Sequence, residues 1–244
     1  MSLHLQRLAD DPLAPFPPAR TAMRHPNGLL AFGGDLSVAR LLNAYRQGVF
    51  PWYSDGQPIL WWSPDPRLVF HTAAMRLPRR LRRSLRHSGW RITADRDFAG
   101  VLRACASAPR RGQDGTWITA DMERAYLALH RAGHAHSVEV REPDGALAGG
   151  IYGVLVGRMF FGESMFSNRS GGSRVALAAL CRVMAERDMP LLDAQVESPH
   201  LLALGGERMP RARFLSELAG LVAEPVAGPA WPMEWPLADA AELA

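Results

Sequence analysis

Two stretches constrain this chain more than any others: GRMFFGESMFS, from Gly157 to Ser167, and LLDAQV, from Leu191 to Val196. Each has the apolar density of a buried strand, yet each carries polar groups where such a strand should be apolar. Side chains alternate faces along a strand, so Asp193 and Gln195 share one face, with Leu192, Ala194 and Val196 on the other. Glu163 interrupts MFFGESMF in the same way. A carboxylate taken out of water costs several kcal/mol unless it is paired or working. Asp193, Gln195 and Glu163 therefore point to a polar site built on a rigid sheet. The alternative is a hydrogen-bonded network whose only task is to hold the strands together.

With 244 residues, 48% of them apolar, the chain can bury a sizeable core as one large domain or as a small one beside a larger one. Its character changes near residue 70. Before that point proline, glycine and aromatic residues dominate: Pro15 to Pro18, Asn27-Gly28, Gly33-Gly34, FPWY at Phe50 and WWSPDPR at Trp61. Asp35-Leu36-Ser37 before VARLLNAYRQG reads as the capped start of a short helix that Gly48 closes. Beyond residue 70 the pattern gives an arginine-rich helix, a strand at WRITA, and two helices capped by Asp95 or Asp97 and by Thr119. Then come strands HSVEV, LAGGIYGVLV and RMFFGESMF, a helix near 174–187, the strand at Leu191, and a last helix near 210–222. That order predicts an α+β fold with a mixed sheet and flanking helices, divided into a small N-terminal domain over 1–70 and a larger domain over 71–244. The Pro/Ala-rich tail after Glu224 reads as a loose surface segment.

Several classes drop out. No stretch approaches the ~18 apolar residues of a membrane-spanning helix, and MSLHLQRLADDPLAPFPP lacks the basic and apolar regions of a secretion signal. Cys105 and Cys181 are too few for a disulfide framework or a thiolate zinc site. The expectation is a soluble protein of a reduced, cytoplasmic compartment. All 28 basic residues are arginine, whose planar fork suits phosphate. In MRLPRRLRRSLRH, Leu77, Leu81 and Leu85 recur at four-residue spacing among Arg76, Arg79, Arg80, Arg82, Arg83 and Arg86. Such a basic amphipathic helix lies on phosphates or on an anionic membrane, or is a solvated face.

Other motifs are incomplete. Gly162 to Ser164 begins a nucleophile elbow that lacks its closing glycine, and His134 and His136 have no third ligand nearby in sequence. The loop NRSGGSR from Asn168 to Arg174 precedes a helix and is similar to the pyrophosphate loop of acyl-CoA acyltransferases, with Arg174 where a small residue belongs. A CoA-dependent acyltransferase and a non-catalytic RNA-binding module stand as alternatives.

Taken together, NGLLAFGGDLS at Asn27, AYRQGVFPWY at Ala44, LWWSPDPR at Leu60, GTWIT at Gly115, AYLALHRAGHAHSVEV at Ala125, FGESMFS at Phe161 and DAQV at Asp193 resemble the leucyl/phenylalanyl-tRNA protein transferases, in that family's order over about residues 27 to 215. Arg141, and the run Gly171 to Arg174, depart from the family's pattern.

The resemblance implies a larger domain with the fold of GCN5-related N-acetyltransferases. It implies an aminoacyltransferase (a leucyltransferase) that moves leucine or phenylalanine, with methionine as a further donor residue, from tRNA to proteins beginning with Arg or Lys, marking them for degradation by the N-end rule. No ATP, metal or other cofactor is implied, and a monomer is expected. The catalytic group would be Asp193 and Gln195, orienting or deprotonating the attacking amine, with Glu163 facing the acceptor's cationic side chain. Trp52 and Trp117 would stack on the terminal adenosine. Tyr45, Phe50, Ile151, Phe160, Ser164 and Met165 would line the donor pocket, and Arg76, Arg79, Arg80, Arg82, Arg83 and Arg86 would hold the tRNA backbone.

Overall fold

The computed structural model describes residues 5–108, 118–223, 231–232 and 234–244. In the first part, turns rich in glycine and proline leave room only for short strands. β1 (Gln6–Arg7), β2 (Leu29–Phe32), β3 (Phe50–Pro51) and β4 (Leu60–Trp62) form a four-stranded sheet in the order β1-β2-β4-β3. Gly28 must be glycine. Its φ is +94°, and a Cβ there would lie 2.6 Å from the backbone of Pro64. Between β2 and β3 runs the expected short helix α1 (Val38–Arg46), whose cap is Ser37, accepting from the Arg40 N–H. Trp61 is fully buried and meets Phe16 edge-on at 4.9 Å.

A second, seven-stranded sheet positions the polar strands. β5 (Arg67–His71) enters it directly from the proline-rich region. α2 (Arg79–Leu85), β6 (Arg91–Ala94), α3 (Phe98–Ser107) and α4 (Ala120–Arg131) follow. Then come the antiparallel β7 (Ala135–Arg141), β8 (Leu147–Val156) and β9 (Met159–Ser167), the helix α5 (Gly172–Glu186) and β10 (Leu191–Gln195). The chain closes with α6 (Pro199–Ala203), β11 (Glu207–Met209) and α7 (Arg211–Ala223). The strand order is β11-β5-β10-β9-β8-β7-β6. β9 and β10 run parallel, which is why a helix, α5, has to cross between them. This is the mixed α+β arrangement expected from the helix, meander, helix, strand order.

Helices cover both faces of the sheet. On one face, α1, α3, α4, α7 and the four-stranded sheet share a core that includes Tyr45, Tyr126, Phe161 and Phe214. On the other, α5 and Leu85 of α2 pack with Phe160, Val138 and Ile151. Among the described residues, no helix is long and apolar enough to cross a membrane.

Two expectations are corrected. The arginine helix begins only after Pro78, which is its N-cap, because the residue before a proline is pushed out of the helical region. The end of the chain is docked rather than loose: Trp231, Trp235 and Leu243 pack against the second core, Leu237 and Ala240 are buried, and Ile92 N–H donates to Ala238 O. Proline and alanine set the composition of this tail, but its few tryptophans and leucines supply the apolar area that anchors it.

Candidate active site

The site lies where the parallel pair separates. The β9–β10 ladder ends at Phe161 and Asp193, and a bulge follows on each side. β8 pairs Tyr152 with Ser164 and Gly153 with Gly162, leaving Glu163 as the extra residue. β5 pairs Val69 with Asp193 and Leu68 with Gln195, leaving Ala194 as the extra one, and Gln195 takes a φ of +61°. Bulges bend a strand and re-aim its side chains. Here they turn Glu163 and Gln195 toward each other, with Gln195 Nε2 donating to Glu163 Oε1 at 2.7 Å.

Glu163 is 9% exposed and meets further donors from two helices. Tyr45 Oη of α1 donates to Oε1 at 2.8 Å, and Tyr126 Oη of α4 donates to Oε2 at 2.5 Å. The two phenol oxygens are 2.7 Å apart. Burial pushes the Glu163 carboxyl up to about 7, against the downward pull of hydrogen bonds from Tyr126, Tyr45 and Gln195 and with a push from the Asp193 charge. Burial and the Glu163 charge hold Tyr126 and Tyr45 well above the usual phenol range, so both remain donors near neutral pH. The result is a carboxyl that changes charge near pH 7 in a largely dry, fully donated setting.

Asp193 lies behind this group with no exposure at all. Arg67 grips it by two bonds, Nε to Oδ1 at 2.8 Å and Nη2 to Oδ2 at 2.6 Å. Oδ1 also accepts the Gln195 backbone N–H at 2.8 Å. The guanidinium donates to Gly48 O at 3.0 Å and sits between the rings of Phe50 and Phe214, 4.8 and 4.6 Å from their centroids. With both oxygens engaged by Arg67, Asp193 also holds the Gln195 main chain at the bulge. Arg67 and Tyr126 were missed in the sequence. Arg67 closes the WWSPDPR motif, a signal available beforehand, whereas Tyr126 sits on an ordinary amphipathic helix face.

The remaining expected residues divide between the two cores. Tyr45 and Phe50 are buried on the Glu163 side, with Trp52 half-buried and tilted against Trp62 at 5.5 Å. Ile151, Phe160 and Met165 lie with α5 on the opposite side, and Ser164 is half-buried opposite Tyr152. Trp117 lies outside the described residues. Arg76, Arg79, Arg80, Arg82, Arg83 and Arg86 are all exposed, although Arg76 folds back to donate to Ala73 O and Met75 O. His136 is a core residue, bonded to Asp95 at 2.7 Å and stacked on Trp231 at 4.3 Å.

The glycine loop before α5 is already occupied. Gly172 N–H donates to Arg169 O and Ser173 N–H to Ser167 Oγ, and Arg169 pairs with Glu142. A Cβ on Gly149 would lie 2.4 Å from the Gly172 backbone. The Gly172 and Ser173 amides thus close the turn against β8 and are not free to hold a pyrophosphate.

A profile of the leucyl/phenylalanyl-tRNA protein transferases matches residues 69–219, and one of that family's N-terminal domain matches residues 34–65. The chain belongs to this family. A leucyl/phenylalanyl-tRNA–protein transferase of Xanthomonas axonopodis pv. citri is 62% identical over 233 residues, covering 95% of this chain and 93% of that one. Another, from Xylella fastidiosa, is 62% identical and covers 86% of each. Among solved structures, the L-PGS of Bacillus licheniformis shows 11% identity and a TM-score of 0.38 over 56% of this chain and 49% of that one. A GCN5-related N-acetyltransferase from Sphaerobacter thermophilus shows 16% and 0.33 over 76% and 58%. At these scores neither likeness bears on activity. Family membership makes the chain an aminoacyltransferase with aminoacyl-tRNA as donor and protein as acceptor.

Proposed function

We propose that the enzyme transfers leucine or phenylalanine, with methionine as a further donor residue, to the N-terminal Arg or Lys of acceptor proteins in the cytoplasm, creating a signal for their degradation, and that it acts as a monomer. The observation that carries this reading is Glu163, a nearly buried carboxyl held by Tyr45, Tyr126 and Gln195 and pushed up to about 7. An acceptor beginning with Arg or Lys brings a cationic side chain and an α-ammonium group whose ordinary pKa is near 8. Glu163 in its ionised form attracts that residue and takes the ammonium proton. The free amine then attacks the aminoacyl ester carbonyl; the C–N bond forms, the C–O bond to the tRNA 3′-oxygen breaks, and the proton that the nitrogen gives up on becoming an amide passes to the departing 3′-oxygen. The ester is already activated, so positioning and proton transfer supply the catalysis.

Asp193 and Gln195 serve as positioning residues in this scheme, with Arg67 holding Asp193. Ile151, Phe160, Ser164 and Met165 take the donor side chain through the gap beyond Phe161 and Asp193, where β9 and β10 part, across the sheet from Glu163. Trp52 and Trp117 stack on the terminal adenosine, at roughly 1–3 kcal/mol per base. The arginines about α2 hold the tRNA backbone, as their exposure allows.

Labelled Leu-tRNA and an Arg-initiated peptide provide the test, with acetyl-CoA in place of the tRNA as control. In the wild type, kcat/KM is expected to rise as pH passes through about 7, where Glu163 becomes able to take the proton, and to fall as the ammonium it deprotonates is lost near 8. Glu163→Gln is expected to lose about 10²–10³-fold and to rise only as the amine deprotonates by itself near 8. A variant that keeps the wild-type profile and rate would take the proton-accepting role from Glu163.

A further inference from the structure

Away from Glu163, the loop before β2, the turn between β4 and β5 and the start of α7 enclose an open cavity of about 670 Å³. Its charged and polar lining is Arg20, Arg24, His25, Asn27, Asp65 and Arg211. With histidine neutral, three arginines against one aspartate leave a net charge of about +2.

Arg211 makes this more than a basic patch. Three arginines are buried among the described residues: Arg40, Arg67 and Arg211. Arg40 is paired with Asp35 and Arg67 with Asp193. Arg211, at 9% exposure, makes no such pair; its guanidinium is held by main-chain carbonyls, donating to Ser63 O at 2.5 Å and Arg20 O at 3.5 Å. Carbonyls satisfy N–H groups but do not neutralise charge, and a buried charge ordinarily has a counter-ion. Asp65 stabilises the guanidinium from a distance, but its side chain makes no hydrogen bond to it. Its Oδ1 accepts the Arg211 backbone N–H at 3.0 Å, and its main chain is tied to Asn27 by two bonds of 3.1 Å. Arg211 thus holds the loop carrying Arg20 while part of its five-donor fork remains unused, and Arg20 and Arg24 are exposed at the rim.

We propose that this cavity is a phosphate-binding site, with a backbone phosphate of the tRNA donor as its occupant. The choice of tRNA over free phosphate rests on the function proposed above; the phosphate chemistry does not. A guanidinium fork matches phosphate bidentately, and a cavity with one buried and two exposed arginines can receive one phosphate of an extended strand. Position supports the tRNA. Asp65 precedes Arg67 by two residues, and Phe214, one turn beyond Arg211 on α7, packs on the Arg67 guanidinium. A phosphate here would anchor the donor beside the elements that carry the Asp193 clamp.

The test uses the full chain in two arms. In the first, wild type and an Arg20→Ala/Arg24→Ala variant are titrated with inorganic phosphate at constant ionic strength made up with chloride, reading the thermal midpoint and the arginine Nε–H resonances. A saturable shift is expected in the wild type and its loss in the variant; Arg211→Lys, which keeps charge but not the fork, should weaken it. In the second, binding of deacylated tRNA is followed against salt. In the variant the slope of log K against log salt should become shallower by about one for each phosphate no longer neutralised, with circular dichroism unchanged. A phosphate shift with an unaltered tRNA slope assigns the site to the free anion. An altered tRNA slope assigns it to the phosphodiester. The absence of both responses overturns the proposal. Leu-tRNA transfer by the same preparations reports separately on the reaction, so missing transfer with intact phosphate binding counts against the proposed function and leaves the cavity standing.

Discussion

Arg67 and the arginines of α2 carry the same guanidinium into opposite surroundings. Arg67 is fully buried, with its charge matched by both oxygens of Asp193 and its faces covered by Phe50 and Phe214. Arg79, Arg80, Arg82 and Arg83 are exposed on a seven-residue helix whose apolar anchors are Leu81 and Leu85. The buried pair has nowhere to move, so it fixes geometry: it holds Asp193, which holds the backbone of Gln195, which reaches Glu163. The exposed group is screened by salt and free to follow a partner. One set of arginines builds the site and the other is available to bind.

The largest effect should come from breaking the buried pair. Arg67→Met leaves Asp193 as an uncompensated buried charge, at a cost of about 3–5 kcal/mol, measured as a loss in urea denaturation free energy. Adding Asp193→Asn removes that charge and should restore much of the loss. A double variant as unstable as the single one would mean that Arg67 acts through its ring packing alone.

A smaller effect concerns pH. Glu163 binds its proton more tightly folded than unfolded, since its pKa is raised from 4.5 to about 7. The stability it contributes is therefore full below about 4.5, falls as pH rises to about 7, and is level above. The difference in unfolding free energy between Glu163→Gln and wild type should grow in favour of the variant by about 1–3 kcal/mol between pH 5 and 8. A difference independent of pH would remove the buried titration.

The smallest effect on the fold should come from the exposed set. Arg79, Arg80 and Arg83 changed together to alanine should alter unfolding free energy by no more than about 0.5 kcal/mol. The same change should make the salt dependence of tRNA binding shallower by about two to three. An unchanged slope with unchanged stability would leave α2 as a solvated face.

Much of this was readable beforehand where the physics is local. The cap at Thr119, the capped helix starts near Asp35 to Ser37 and at Asp95 or Asp97, which the structure resolves to Ser37 and Asp97, and the β7–β9 meander follow from short-range hydrogen bonding and strand periodicity. Glu163, Asp193 and Gln195 stood out because a polar residue in a buried strand demands a reason. Strict alternation nevertheless gave an incomplete account of them. The bulges at Glu163 and Ala194 shift the strand register, and a bulge is chosen by what the strand must pack against, which no period of two reveals.

What the sequence by itself determined is therefore which residues had to be explained: three polar groups in apolar strands, a basic helix, and a family signature dense enough to name the reaction class. What only the tertiary structure decided is who meets whom. Arg67 and Asp193 are 126 positions apart, and Tyr45 and Glu163 are 118 apart; pairings at such separation depend on strand order and packing rather than on spacing. The same holds for Arg211, an arginine among many in the sequence, whose guanidinium meets main-chain carbonyls rather than a carboxylate only once the chain around Ser63 and Arg20 has closed over it.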